Sequence, residues 1–164
     1  MRIATQTPQQ NPSALVAGSE SDDTVDTLLW IEEHDWLYSL LRSGLNVSPK
    51  FRMTDLISAC VSQLFAKDCA SDELFRYLGS ELILREPGTV RRREAMWRPQ
   101  YQQLHALQLS AANRYPNPQF HLDQITTACV SLARTDDTTG ACTLRHARIN
   151  IARRSAIARV MLSA

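Results

Sequence analysis

Phe51-Arg52-Met53-Thr54-Asp55-Leu56-Ile57-Ser58-Ala59-Cys60-Val61-Ser62 lines up without a gap against Phe120-His121-Leu122-Asp123-Gln124-Ile125-Thr126-Thr127-Ala128-Cys129-Val130-Ser131, and the shared Ala-Cys-Val-Ser carries most of the match. In the first copy Leu56, Ile57, Cys60, Val61, Leu64 and Phe65 recur at the spacing of one helical face, with Thr54 as the expected N-cap. Phe120 is expected to open the second copy. Upstream, a gap of two residues brings Trp30 opposite Trp97, Leu37 opposite Leu104, Leu40 opposite Leu107 and Ser43 opposite Ser110. The break before each helix matches too, Ser48-Pro49-Lys50-Phe51 against Asn117-Pro118-Gln119-Phe120. A short helix has few ways to be amphipathic, so one such match carries little weight. Agreement of several elements in the same order points to an internal duplication.

Working outward, Val25 to Ile31 is short, apolar and partly β-branched and reads as a strand, while Glu32-Glu33-His34-Asp35 supplies acidic groups suited to a helix start. Trp36, Leu37, Leu40 and Leu41 give that helix its apolar face, and Gly44 with Asn46-Val47-Ser48-Pro49 ends it. Ser71 to about Arg85 reads as a further helix with Leu74, Phe75, Leu78, Leu82 and Ile83 inward, stopped by Pro87-Gly88. The order then returns. Thr89 to Trp97 is extended, Pro99 suits a first helical turn, and Tyr101, Leu104, Leu107 and Leu109 precede the break Tyr115-Pro116-Asn117-Pro118. The last stretch, from Arg145 to Arg154, is a basic amphipathic helix or tail with Ile149, Ala152, Ala156 and Val160 on one side.

The expected fold is therefore mainly α with short β-strands: two strand-helix-helix units forming a pseudo-dimer, plus additional helices. Residues 1–23, rich in Gln, Pro, Ser and Thr, read as a flexible N-terminal tail. Residues 24–86 hold the first unit and a linking helix, 87–135 the second unit, and 136–164 the basic C-terminal segment.

Composition narrows the function class. The 164 residues are 44% hydrophobic and 21% charged, which is ordinary for a chain that buries a core. No apolar run approaches the roughly 20 residues that span a bilayer, and the N-terminus lacks a basic, then apolar, leader pattern, so the reading is cytoplasmic and without a membrane partner. Cys60, Cys69, Cys129 and Cys142 lack Cys-x-x-Cys spacing, and His34, His105, His121 and His146 are scattered, so no metal or other cofactor is expected. There is no Gly-x-Ser-x-Gly elbow and no phosphate loop, and Glu32-Glu33 with Asp35 reads as helix-start electrostatics. A non-enzyme is expected.

Charge is unevenly spread. Net charge is +1, yet residues 1–50 hold three basic groups against seven acidic, for −4, and residues 85–164 hold twelve arginines against five acids, for +7. The second half suits a polyanion and the first does not.

Strand, helix, turn, helix is also the order of the ribbon-helix-helix superfamily, the Arc and MetJ type of DNA-binding repressors. Leu29-Trp30-Ile31-Glu32-Glu33-His34-Asp35-Trp36-Leu37 resembles that family's strand running into its first helix, as does Met96-Trp97-Arg98-Pro99. Met53-Thr54-Asp55-Leu56-Ile57-Ser58-Ala59-Cys60-Val61 is similar to its second helix, which commonly begins with a hydroxyl residue, an acid and two aliphatics. The resemblance implies a two-stranded antiparallel ribbon lying in the major groove, both strands supplied by one chain as in the tandem members that act in bacterial conjugation. With Trp30 and Trp97 facing the core, Thr27 and Leu29 point outward from one strand and Arg92, Glu94 and Met96 from the other. Phosphate contacts are expected at the second-helix N-termini, around Met53-Thr54 and Leu122-Asp123. The DNA-contacting set is then Arg91, Arg92, Arg93, Glu94, Met96 and Arg98, with Arg145, Arg148, Arg153 and Arg154 from the tail. Double-stranded DNA is the expected partner of a prokaryotic regulator or mobile-element accessory factor. The alternative is a protein-interaction module, an adaptor or inhibitor, that docks through its acidic first unit. A homodimer is compatible with either.

Overall fold

The computed structural model describes residues 23–47, 50–85, 90–114 and 119–163. The expected N-terminal tail lies outside them except for Asp23, as do the breaks expected at Pro49, at Pro87-Gly88 and at Tyr115 to Pro118.

The chain is mainly helical with one short two-stranded antiparallel sheet. Strand β1 (Thr24–Trp30) is followed by helices α1 (Ile31–Leu41), α2 (Met53–Phe65) and α3 (Ala70–Ser80), and strand β2 (Arg91–Trp97) by α4 (Arg98–Gln108), α5 (Leu122–Asp136) and α6 (Ala141–Leu162). β1 has the β-branched and apolar content that favours a strand. Arg-rich β2 has little of it and is extended because it pairs with β1.

The register agrees with the alignment of the two halves. Thr27 lies opposite Glu94, with Thr24 opposite Trp97 at one end and Trp30 opposite Arg91 at the other. Trp30 and Trp97 are equivalent in the two copies, and the same offset makes Thr27 and Glu94 equivalent, so a pseudo-two-fold axis passes between those two. The bonds closing the ribbon obey it. Ile31 N donates to Val90 O at 2.9 Å and Arg98 N to Asp23 O at 2.8 Å.

Packing is crossed. α2 lies on β2 and α6, α5 lies on β1 and α3, and α2 and α5 meet each other. Each unit completes its core with the other unit's helices, through fully buried Leu29, Leu37, Leu56, Ile57, Leu74, Met96, Leu104 and Ile125 among others. Polar bonds repeat the exchange: Trp97 N donates to Ser58 Oγ at 2.9 Å and Trp30 N to Thr127 Oγ1 at 3.3 Å. Equivalent Ser62 and Ser131 are each held by the other unit's third helix, through Asn150 Nδ2 at 2.9 Å and Tyr77 Oη at 2.5 Å. The segment expected to be a linker and the expected basic tail are thus counterparts, α3 and α6.

Three details differ from expectation. The N-cap of α2 is Arg52 rather than Thr54, because Asp55 Oδ2 accepts the Arg52 N–H at 2.9 Å, and Gln124 does the same for His121 in α5, so that the helix begins after Phe120 and His121. Helix α3 stops at Ser80 and gives way to a 3-10 turn, Leu82–Leu84, which buries Leu82 and leaves Ile83 in solvent; Leu109, at the end of α4, is likewise exposed. On α6 the buried face is Thr143, Leu144, Ala147 and Asn150, while Ile149, Ala152, Ala156 and Val160 are exposed. Ranking by apolarity misses that face because Thr143 and Asn150 are buried on hydrogen bonds to Gln63 and Ser62 of α2. Gly140 opens α6 at φ +78, where a Cβ would run into Leu40.

Candidate nucleic-acid interface

Alternation along the ribbon fixes which side chains reach solvent. Thr27 and Leu29 are buried and Met96 is fully buried, so the inward positions are Val25, Thr27, Leu29, Arg92, Glu94 and Met96. The outward positions are Thr24, Asp26 and Leu28 on β1 and Arg91, Arg93 and Ala95 on β2. This reverses the phase expected from the sequence. Trp30 and Trp97 are the last residues of their strands and at the same time the N-caps of α1 and α4, at φ near −68 and ψ 148 and 142. Trp30 is buried and Trp97 only partly so, and because Leu29 and Trp30 are buried side by side, the burial of Trp30 does not mark which strand positions face inward.

The expected site residues separate accordingly. Met96 is core. Glu94 is half-buried and hydrogen-bonded to His34 Nε2 at 2.8 Å. Arg92 lies on the helix-facing side at the end of β2, exposed, and Arg98 is exposed in the first turn of α4. Arg91 and Arg93 remain on the outer face, and each has an acid. Arg93 Nη2 sits 2.5 Å from Asp26 Oδ2, a bond that raises the Arg93 pKa further, and Arg91 Nη1 sits 3.3 Å from Asp123 Oδ2.

At the ends of the ribbon each tryptophan ring has two guanidiniums within 6 Å of its centre. Trp30 is flanked by Arg85 at 4.8 Å and Arg91 at 5.8 Å, and Trp97 by Arg154 at 4.0 Å and Arg52 at 5.4 Å. Arg85 and Arg154 are equivalent by the offset that relates Phe51 to Phe120. Arg85 bonds Glu33, which is wholly buried, and Glu32, while Arg154 Nη2 donates to Asp55 Oδ1 at 3.0 Å. Burial lowers the Arg154 pKa, against the opposing pull of Asp55. The two ends differ in one bond: Trp97 Nε1 donates to Asp55 Oδ1 at 2.9 Å, whereas Trp30 Nε1 has no hydrogen-bond partner among the described residues, and Gln124 stands at the position equivalent to Asp55.

Arg154, expected on DNA, thus ties α6 to α2 and β2. Arg148 covers the Phe51 ring at 5.6 Å, and Arg145 and Arg153 are exposed. With about 1.5 Å rise per residue, Arg145 lies roughly 13 Å along α6 from the turn that meets the ribbon. The residues that reasoning on sequence passed over are Asp26 and Leu28, whose outward direction depends on the strand phase, and Asp123 as the partner of Arg91.

Between the ribbon and the start of α5 runs an open groove of about 550 Å³, lined by Asp26, Thr27, Leu28, Arg93, Gln108, His121, Leu122 and Asp123. It places the N-terminus of α5 beside the outer face, as the contacts of Trp97 place that of α2 at the other end. Among the described residues no group of three His, Cys, Asp or Glu is placed to hold a metal ion, and no described helix is long and apolar enough to cross a membrane.

Comparison with known proteins gives no match: no family model, no curated protein and no solved structure resembles this chain.

Proposed function

We propose that this protein is a DNA-binding regulator or mobile-element accessory factor of the ribbon-helix-helix kind, which lays the outer face of the β1–β2 ribbon in the major groove. The observation that carries the reading is an intertwined pair of strand-helix-helix units that buries one face of a two-stranded ribbon and leaves Asp26, Leu28, Arg91 and Arg93 on the other uncovered. The major groove, about 12 Å wide, admits such a ribbon, and the base edges there carry a distinct donor and acceptor pattern for each base pair. The starts of α2 and α5, with free backbone N–H groups, flank the ribbon where phosphates pass. No cofactor enters this reading.

A second reading, a protein-interaction module, is favoured by one observation: both outward arginines of the ribbon already have a carboxylate partner, Asp26 or Asp123. Titrating a fluorescent random duplex across a salt series separates the two, with Arg91→Ala/Arg93→Ala beside the parent. Salt-dependent binding whose log-log slope falls by about 0.9 for each phosphate that the variant no longer neutralises supports DNA binding. Absence of binding at low salt removes it and leaves the protein partner.

A further inference from the structure

On the outer face four residues lie one position from the pseudo-two-fold axis, Asp26 and Leu28 on β1 and Arg93 and Ala95 on β2, and of these Asp26 and Arg93 are equivalent in the two copies. A symmetric ribbon has the same residue at both positions and reads the two halves of a palindrome alike. This chain has an anion at one and a cation at the other, joined at 2.5 Å, with side chains 66% and 78% exposed. The other outer pairs also differ: Leu28 is matched by Ala95, and Thr24 by Arg91.

A G·C pair presents guanine N7 and O6 as acceptors and the cytosine N4 amino group as a donor along its major-groove edge. A guanidinium beside a carboxylate presents the complement, donors and then acceptors. We infer, resting on the DNA-binding reading, that Asp26 and Arg93 together read a single G·C pair at the centre of the site, Arg93 on guanine and Asp26 on cytosine, so that the protein binds a non-palindromic sequence in one orientation. The ion pair gives the two groups their placement before binding, and both exchange each other for base contacts, so neither charge is left buried without a partner. The ends of the site differ in the same sense. Arg91 and Leu28 lie toward the start of α5, Thr24 and Ala95 toward the start of α2.

Selection of duplexes from a library with a random core, followed by sequencing, tests this in the full chain. The parent is expected to enrich a site that is asymmetric about its centre, with one orientation of a central G·C pair favoured roughly tenfold or more. Exchange of the pair, Asp26→Arg with Arg93→Asp, keeps an ion pair on an exposed face and is expected to invert that base pair relative to its flanks. Arg93→Ala is expected to abolish the central preference while salt-dependent binding to random duplex persists. A symmetric central step for the parent, or an exchanged variant that enriches the parental orientation, overturns the inference while leaving DNA binding in place. Absence of salt-dependent binding by the parent overturns both.

Discussion

Asn46 and Asn113 make the same hydrogen bonds at equivalent corners of the two units. Each side-chain oxygen accepts the backbone N–H of the phenylalanine before the second helix, Phe51 or Phe120, at 2.8 Å. Each Nδ2 donates to the carbonyl of that same phenylalanine and to one near the end of the preceding helix, Leu41 or Gln108, at 3.0 and 2.9 Å. Asn46→Ala or Asn113→Ala strips these buried backbone groups of their partner, and a loss of about 1–3 kcal/mol is expected from each. Asn113, at 3% exposure against 9%, stands to lose the more. Urea denaturation of the two variants checks this, and a loss below about 0.5 kcal/mol at both would contradict the corner as described.

Glu33 is a fully buried carboxylate whose charge is met by Arg85, with Arg134 more distant at 4.0 Å. Arg85→Ala leaves it buried with that remote cation alone, for an expected loss of about 3 kcal/mol. Replacing both groups, Glu33→Leu with Arg85→Met, removes the stranded charge and is expected to be less damaging than Arg85→Ala alone. A double variant as unstable as the single would show that the pair matters through packing on Trp30 rather than through charge.

The repeated helix was legible because Ala-Cys-Val-Ser sits at its centre, where α2 and α5 meet and few side chains fit. The third helices were not. Leu74 and Leu78 of α3 correspond to Thr143 and Ala147 of α6, all buried, so what is kept is position and not chemistry. Arg85 and Arg154 are visible as letters, but nothing in their neighbours announces a tryptophan three helices earlier in the chain. The strand phase is not legible for a local reason: Trp30 and Trp97 are large and apolar, yet each closes its strand as the N-cap of the next helix, where Trp30 is buried and Trp97 only partly so. That single step exchanged Met96 for Asp26 and Leu28 on the candidate face.

His146 gives the stability a pH dependence of definite sign. Burial, then the cations of Arg145 and Arg153, lowers its pKa below the ordinary 6.5. The unfolded chain therefore binds the proton more readily than the folded one. Stability from this group is whole above about pH 6.5, falls as pH drops through that value, and is fully lost below the depressed folded pKa. His146→Gln is expected to flatten this part of the curve, so that its urea midpoint changes less than the parent's between about pH 7.5 and 5.5. Parallel curves for the two proteins would remove His146 as a source of acid sensitivity.

The four thiols should divide by burial. Cys69 is exposed and Cys142 partly so, while Cys60 and Cys129 are buried where α2 meets α5. Burial pushes Cys60 from 9.0 up to about 12 and pushes Cys129 upward as well. Thiolate is the reactive form, so at pH 8 Cys60 carries much less of it than an ordinary cysteine, besides being shielded from the reagent. A maleimide is expected to modify Cys69 rapidly and Cys142 more slowly in the native protein, with Cys60 and Cys129 reacting only when the two units separate. Labelling of the buried pair then reports the opening of the core, and Asn46→Ala should accelerate it by the factor that its loss of stability implies. Rapid native labelling at Cys60 would contradict the crossed packing of the two units.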